Sequence, residues 1–440
     1  MTPSARLQAA LELTAEIKSQ NSPADPVIDV YFRKRRYAGS SDRRTVRDIV
    51  YKILRHQARL YWWIERTGLK INDLNRAHLI ASLVLLDKLS PEELTALFSG
   101  RTHAPATITD DETQLADALY GRPINHMDMK RYTRFEYPQW MDLSFASLWG
   151  DEIITELSAL NQKAPVDVRI NTTKATREQA LDALTKEFVE AEPTALSPLG
   201  LRLAGNPKLG GTQTFKNGWI EVQDEGSQLV SLLCGTEPGM NVVDFCAGAG
   251  GKTLALAAMM TVNNKIRGQL TACDISDFRL ARMKPRLKRA GIKGVRQQVI
   301  TAKDCPWING NQASADRVLV DAPCTGTGVW RRDPTARWRF SFDDLNDILQ
   351  SQCQILDAAA TVVKPGGRLI FVTCSLLVEE NEQQIEQFQN RHGNFKILPI
   401  DQVWNETIGD PAPPPAPFMR LSPASTGTDG FFAAVLTRQT

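Results

Sequence analysis

The stretch Asn241-Val-Val-Asp-Phe-Cys-Ala-Gly-Ala-Gly-Gly-Lys-Thr253 decides the fold of this 440-residue chain. It opens with a short apolar run that is typical of a buried strand and closes in a glycine-rich turn. The residues that follow, up to Met260, are apolar enough to predict a buried helix. A strand, a glycine turn and a helix in this order are the first unit of an α/β fold.

The same alternation continues to the C-terminus. Short apolar runs predict further strands over residues 269–273, 296–300, 317–320, 368–372, 395–400 and 431–436. Helical patterns lie between them, at residues 277–290 and 345–363. The sequence therefore predicts an α/β Rossmann-like domain over residues 236–440, with a seven-stranded parallel sheet and helices on both faces.

Two regions with different sequence patterns precede this domain. Residues 1–150 show apolar residues at helical spacing and few strand signals, which predicts an all-helical domain. Residues 160–235 contain the alternating run Val166-Asp-Val-Arg-Ile170, a helical stretch and further short strand signals. They predict a small α+β module between the helical and Rossmann-like domains.

Composition excludes several classes of protein. With 42% hydrophobic and 23% charged residues the chain is not a disordered protein. No apolar run approaches the roughly 20 residues that cross a membrane. Seven cysteines without a Cys-x-x-Cys pair argue against a disulfide framework, and the five scattered histidines argue against a metal. We expect a protein of the reducing cytoplasm with no membrane or metal partner.

Positive charge is concentrated in two stretches although the net charge is only +2. Residues 31–70 hold twelve Lys or Arg against three acids, and residues 278–303 hold nine and no acid. A single run of this kind is usually a solvated helix face. Two runs interleaved with apolar and aromatic residues favour a polyanionic partner such as a nucleic acid.

The glycine turn admits several interpretations. A phosphate-binding loop requires a glycine where Cys246 stands, and a dinucleotide fingerprint requires one at Thr253. An S-adenosylmethionine loop instead has an acid before the turn and a second acid after the next strand, to hold ribose hydroxyls. Asp244 and Asp274 stand at those places. A purely structural glycine turn remains an alternative.

Two cysteines follow predicted strands directly. Cys324 ends Val-Leu-Val-Asp-Ala-Pro-Cys, beside Asp321, and Cys374 follows Leu-Ile-Phe-Val-Thr. Strand ends open into the ligand crevice of an α/β sheet, so the two thiols suggest covalent chemistry. Gly326 and Gly328 are predicted to keep the approach to Cys324 open. We interpret four other cysteines as small buried hydrophobes: Cys234, Cys273, Cys305 and Cys353.

Taken together, the motifs resemble the RsmB/Sun/Nop family of RNA cytosine-5 methyltransferases from Val166 to the C-terminus. The segments that carry the resemblance are Cys246-Ala-Gly-Ala-Gly-Gly-Lys252, Asp321-Ala-Pro-Cys-Thr-Gly-Thr-Gly328, Thr373-Cys-Ser-Leu376, Glu379-Glu-Asn-Glu382 and Asp429-Gly-Phe-Phe-Ala433. The N-terminal domain resembles the NusB-type RNA-binding domain fused to such enzymes. The resemblance also implies RNA contacts for the module at 160–235.

This resemblance implies a mechanism. The attacking thiolate is Cys374, which adds to C6 of cytosine so that C5 can accept the methyl group of S-adenosylmethionine. Cys324 acts in product release, and Asp321 supports N3 of the base. The family's cofactor-contacting positions match Cys246, Ala247, Gly248, Ala249, Gly250, Gly251, Lys252, Asp274, Asp304 and Asp321.

The implied substrate is RNA, with 16S-type small-subunit rRNA favoured and tRNA as an alternative, acted on by a monomer. A DNA cytosine-5 methyltransferase would use a Pro-Cys nucleophile such as Pro323-Cys324. The second thiol in Thr373-Cys374-Ser375 weighs against that assignment. An inactive RNA-binding assembly factor would not need Asp321, Cys324 and Cys374 together.

Overall fold

The computed structural model describes residues 1–300 and 305–440, which form two compact units. The first unit comprises Met1–Gln162 together with Trp330–Ser341, and the second comprises Lys163–Val329 together with Phe342–Thr440. The domain boundaries predicted from the sequence stay predictions. The grouping of the segment at 330–341 with the N-terminal helices was not predicted from the sequence.

Helices make up the first unit. Their bounds are α1 Pro3–Gln20, α2 Ala24–Lys34, α3 Ser40–Arg55, α4 Gln57–Arg66, α5 Leu74–Leu85, α6 Pro91–Leu97, α7 Asp110–Leu119, α8 Arg131–Arg134, α9 Asp142–Trp149 and α10 Ile153–Leu160. The hydrophobic faces of α3, α4, α5 and α7 share one core, which includes Trp63, while Trp62 is half-buried at its margin. Arg59 and Glu136 form an ion pair of 3.0 Å inside this unit.

The Trp330–Ser341 segment is fixed within the helical unit by buried polar contacts. The fully buried Arg337 donates to Asn161 Oδ1 at 2.7 Å and to the Leu160 carbonyl at 2.9 Å. The Trp330 ring packs edge-on against Phe145, with ring centroids 5.8 Å apart. Removing a buried guanidinium from its partners is costly, so the segment is held firmly.

A small antiparallel sheet begins the second unit. Its strands are β1 Val166–Ile170, β2 Ala191–Pro193, β3 Gly200–Leu203 and β4 Ile220–Val222, in the order β2-β3-β1-β4. Helices α11 Arg177–Lys186, α12 Gln213–Lys216 and α13 Glu225–Leu232 accompany it. The α+β character predicted for this region is thus present, with β1 at the predicted alternating run.

The large sheet follows. Its strands are β5 Asn241–Asp244, β8 Gln269–Asp274, β9 Val295–Val299, β10 Ala315–Asp321, β11 Val363–Thr373, β12 Phe395–Ile397, β13 Met419–Leu421 and β14 Phe431–Arg438, and a small hairpin is formed by β6 Thr261–Val262 and β7 Lys265–Ile266. The helices are α14 Gly251–Met259, α15 Asp277–Ala281, α16 Met283–Ala290, α17 Pro306–Gly310, α18 Phe342–Val362, α19 Glu382–Arg391 and α20 Ile400–Thr407.

Within the described residues this sheet has eight strands, in the order β12-β14-β11-β10-β5-β8-β9 with β13 paired to β14. Each of the seven predicted strands is present, and the short β13 was not predicted. The strands from β9 to β11 are parallel, but β14 runs antiparallel to β11, and β12 and β13 run antiparallel to β14. The prediction of a parallel sheet was therefore wrong for its last strands, because apolar alternation carries no information about strand direction.

The four neighbouring parallel strands β8, β5, β10 and β11 end at one edge of the sheet. Three of them end in an aspartate, namely Asp274, Asp244 and Asp321, and the fourth ends at Thr373, just before Cys374. This carboxyl edge is where a doubly wound sheet binds its ligands. No helix in the described part of the chain is long and apolar enough to cross a membrane.

Candidate active site

The glycine-rich turn between β5 and α14 is built on a buried carboxyl group. Asp244 has no exposed surface, and its Oδ2 accepts a hydrogen bond of 2.6 Å from Thr253 Oγ1 in the first turn of α14. Burial raises the pKa of Asp244 to about 7. Thr253, which broke the dinucleotide fingerprint in the sequence, therefore has its own role in tying the helix to the strand.

Asp274 lies directly beside the glycine-rich turn. Its Oδ2 accepts the Gly248 amide at 2.9 Å, and its Oδ1 accepts the Ser276 amide at 2.8 Å. Arg279 Nη2 lies 3.2 Å from the same Oδ1. A carboxylate held in this way beside the turn repels phosphate groups and can accept hydrogen bonds from ribose hydroxyls.

The glycines of the turn have two different roles. Gly250 has a φ of +82°, and a Cβ added there would lie 2.4 Å from Met283 Cγ, so backbone conformation and packing both require glycine. Gly248 also has a positive φ, of +54°, but an added Cβ would meet nothing within 4 Å. The turn therefore presents an open face beside Asp274, and this face fits a ribose-bearing cofactor.

Lys252 connects the turn to the next strand end. Its Nζ lies 2.6 Å from Asp321 Oδ2, and only 11% of the lysine side chain is exposed. Burial opposes its charge, but Asp321, followed by Cys374, raises the pKa of Lys252 above its ordinary value. A cation is thus held close to both the candidate catalytic acid and a candidate nucleophile.

The two candidate thiols meet at the edge between β10 and β11. These strands pair in parallel with Asp321 opposite Val372, and Cys324 Sγ lies 3.4 Å from Cys374 Sγ. The hydrogen bond to Cys374 and then burial raise the pKa of Cys324 well above its ordinary value. Cys324 consequently keeps its proton and can donate it toward Cys374.

Comparisons with known proteins agree with this architecture. The family model described as 16S rRNA methyltransferase RsmB/F matches residues 232–437, and an RsmF/B-like ferredoxin-like domain model matches residues 137–209. The probable ribosomal RNA small subunit methyltransferase B of Synechocystis is 30% identical to this chain, over 98% of it and 99% of the relative. This chain belongs to the RsmB/F methyltransferase family.

Other members support the assignment. The ribosomal RNA small subunit methyltransferase B of Enterobacter is 33% identical over 70% of this chain and 67% of its own length. Among solved structures, the crystal structure of PH0851 superposes with a TM-score of 0.78 at 29% identity, covering 100% of this chain and 99% of that one. The Rossmann-like methyltransferase fold predicted from the sequence is thereby confirmed.

In this RsmB/F-family protein the structure brings most of the predicted site residues to the one sheet edge. Cys246 is half-buried, the Ala247 amide donates to the Cys273 carbonyl at 2.8 Å, and the Ala249 carbonyl accepts from Arg286 at 2.7 Å. These three residues therefore contribute mainly backbone groups and the lining of the site. The predicted cofactor residue Asp304 lies outside the described residues.

Two smaller predictions need correction. Gly328 does not serve to open the approach to Cys324, because a Cβ there would lie 2.2 Å from the Gly430 carbonyl oxygen, and the glycine allows close backbone packing. Cys353 is half-buried, not buried as predicted, and its sulfur lies 3.8 Å from Asp357 Oδ2. The other three cysteines interpreted as core are buried.

Sequence reasoning on this RsmB/F-family chain missed two charged groups at the site. Lys252 was assigned to the cofactor alone, although it also contacts Asp321. Glu380 belongs to a motif that carried the family resemblance but received no role, yet it is fully buried beside both thiols. Its position two residues after the apolar run Leu376-Leu377-Val378 was the available signal, since charged residues are seldom fully buried without a reason.

Proposed function

We propose that this protein methylates C5 of a cytosine in small-subunit rRNA with S-adenosylmethionine, through a covalent bond between Cys374 and C6 of the base. The observation that carries the proposal is the thiol pair, with Cys324 and Cys374 3.4 Å apart at the ends of adjacent strands. Membership in a family whose relatives are named for small-subunit rRNA supports the RNA substrate. One thiol alone would suffice for a DNA-type mechanism.

The setting of Cys374 suits a nucleophile. Cytosine C5 is a poor nucleophile until a thiolate adds to C6, and a thiolate requires an electropositive neighbourhood. Lys252 supplies that cation, since Cys374 is among the groups that raise its pKa. Asp321, in contact with Lys252, is assigned to N3 of the base, where its carboxylate accepts a hydrogen bond from N3 once N3 has taken up a proton from water during addition.

Cys324 is suited to the second half of the reaction. Its high pKa arises first from the hydrogen bond to Cys374, so this cause disappears once Cys374 has formed its bond to C6. Cys324 then becomes easier to deprotonate at the stage when a base is needed. Once its own proton has passed to water, the Cys324 thiolate takes the C5 proton, the C6–S bond breaks, and the Cys374 thiolate leaves.

The cofactor residues proposed here are those of the glycine turn together with Asp274. Asp274 would accept ribose hydroxyls, and the open face at Gly248 would receive the nucleoside. When bound, S-adenosylmethionine supplies the electrophilic methyl group that the activated C5 attacks. Lys252 and Asp321 link this turn to the thiols, which keeps both reactants at one edge of the sheet.

Replacing Asp274 with alanine should weaken binding of S-adenosylmethionine by about ten- to a hundredfold, the equivalent of hydrogen bonds to a charged group. Isothermal titration with the cofactor measures the change. Asp277→Ala is the matched control, because Asp277 is an exposed acid in the first turn of α15. An unchanged dissociation constant for the Asp274 variant would remove this residue from the cofactor site.

The N-terminal helices offer a surface for RNA. Many of the basic residues between 31 and 70 are engaged internally, as in the ion pairs of Arg47 with Asp25 and of Arg59 with Glu136. An exposed group remains near the end of α2 and the start of α3, formed by Arg33, Lys34, Arg36, Tyr37 and Arg44. We assign phosphate contacts to these cations and a stacking role to Tyr37, which is 71% exposed.

The proposed activity is tested with tritiated S-adenosylmethionine and three substrates: a small-subunit rRNA transcript, a tRNA pool and a cytosine-rich DNA duplex. We expect label in the rRNA, and bisulfite sequencing should locate it at C5 of one cytosine. Label confined to tRNA would correct the substrate but keep the chemistry. Label in DNA, in a ribose or in another base would contradict the proposed function.

A further inference from the structure

Glu380 lies at the centre of a buried hydrogen-bond network that surrounds both thiols. The side chains of Gln352, Glu380 and Asn381, which we call the Glu380 cluster, have no exposed surface. Gln352 comes from α18, while Glu380 and Asn381 lie between β11 and α19. The cluster is therefore assembled from two separate segments of the second unit.

The cluster holds the residues on both sides of Cys324. Gln352 Nε2 donates to the Pro323 carbonyl at 2.9 Å and to Glu380 Oε2 at 3.1 Å. The Thr325 amide donates to Glu380 Oε2 at 2.9 Å, and the Thr325 hydroxyl donates to Glu380 Oε1. The backbone immediately before and after the thiol is thus fixed to one carboxyl group and its amide partner.

The same cluster holds the residues on both sides of Cys374. The Ser375 hydroxyl donates to Glu380 Oε1 at 2.5 Å, and the Ser375 carbonyl accepts from Asn381 Nδ2 at 2.9 Å. Before the cysteine, Thr373 Oγ1 donates to Asn381 Oδ1 at 2.5 Å. Both cysteine segments thus contact Glu380 through the residue that follows the thiol.

A buried carboxyl group is a poor way to stabilise the folded state. Desolvating it costs free energy, and a well-packed apolar residue is often at least as stabilising. A carboxylate accepts hydrogen bonds only, so its donors must face it in a fixed arrangement. That property suits a group that must hold two loops in register.

We propose that Glu380 is a positioning residue that fixes the Cys324 loop against Cys374, so that both thiols reach the same base. The roles of the two thiols rest on the proposed function. Cys374 has further supports, since Thr373 pairs with Phe432 in the sheet and the Cys374 carbonyl accepts the Gly328 amide at 2.9 Å. The loop at 323–325 depends more on Glu380, so its loss affects Cys324 more than Cys374.

The test is Glu380→Gln, which keeps the shape of the side chain but places an amide NH2 group where the carboxylate accepted hydrogen bonds. With an rRNA transcript, we expect the covalent enzyme–RNA adduct to form within about tenfold of the wild-type rate and to be released about ten- to a hundredfold more slowly, the scale of a displaced catalytic group. Thr325→Val, which removes one hydroxyl donor, should change release in the same direction and less. Glu386→Gln, an exposed acid on α19, is the matched control.

A second measurement requires neither RNA nor cofactor. Diamide should link Cys324 to Cys374 readily in the wild-type protein and more slowly in Glu380→Gln, as followed by peptide mass spectrometry. If the wild-type protein methylates no substrate but Glu380→Gln still forms the disulfide more slowly than the wild type, the proposed function is rejected and the positioning role is upheld. The inference would be overturned if Glu380→Gln formed the disulfide and released RNA at the wild-type rates. It would also be overturned if adduct formation and release slowed equally while the rate of disulfide formation stayed unchanged. Thr325→Val decides the matter if Glu380→Gln does not fold.

Discussion

The Cys374→Ala variant should lose methyl transfer by on the order of 10⁴-fold or more, the scale seen when an enzyme loses its covalent nucleophile. Without a thiolate at C6 the base has no activated C5. Cys324 lies 3.4 Å away, and although Cys374→Ala removes the hydrogen bond that raises the Cys324 pKa most, burial still raises that pKa. The neighbouring thiol therefore cannot replace the nucleophile without a shift of its loop.

Single-turnover transfer of a tritiated methyl group to the rRNA transcript measures the loss, and a denaturing gel shows whether a protein–RNA adduct forms. Cys353→Ala is the control, because Cys353 is a half-buried thiol on α18 that the mechanism does not use. It should retain wild-type transfer. An adduct in Cys374→Ala but none in Cys324→Ala would reverse the two roles and indicate a Pro-Cys nucleophile.

The meeting of the two thiols could be predicted because it depends on local patterns and one topological rule. Each cysteine follows an apolar run that forms a strand, and parallel strands deliver their carboxyl ends to a common edge. Asp244 and Asp274 could be placed in the same way, each at the end of a strand beside the glycine turn. For these residues, spacing along the chain was enough.

The remaining features depend on contacts between distant parts of the chain. Glu380 acquires its position from Thr325 and Gln352, which lie 55 and 28 residues away. The antiparallel direction of β14 is set by tertiary packing, because its apolar pattern would serve equally in either direction. Arg337 carries no sign in the sequence that it is buried against Leu160 and Asn161. Such partners require the folded structure.

The Cys324→Ala variant should do the opposite of Cys374→Ala and accumulate a covalent protein–RNA adduct. Cys374 and Lys252 are intact in this variant, so the thiolate still adds to C6 and the methyl group is still transferred. The base that removes the C5 proton is missing, and loss of a general base slows such a step by about 10²- to 10⁴-fold. The methylated RNA therefore remains attached through its C6–S bond.

A denaturing gel with RNA labelled by the tritiated methyl group shows this product as a labelled band that runs more slowly than the free protein. Nuclease treatment moves the band to near the size of the protein, because the labelled cytosine stays bonded to Cys374. Cys353→Ala again serves as the control and should show no such band. Normal turnover by Cys324→Ala would contradict the release role. An adduct without a transferred methyl group would place Cys324 before methylation.

The double variant Cys324→Ala, Cys374→Ala identifies which sulfur holds the base. If Cys374 forms the bond, the double variant gives no adduct, although both of its parents retain Lys252, Asp321 and the glycine turn. An adduct in the double variant would require a third nucleophile, and Cys246 in the glycine turn is a further thiol at this edge of the sheet. Burial raises the pKa of Cys246 well above its ordinary value, so this thiol is poorly suited to attack. Formation of the adduct should therefore depend on Cys374 alone, and the lifetime of the adduct should depend on Cys324.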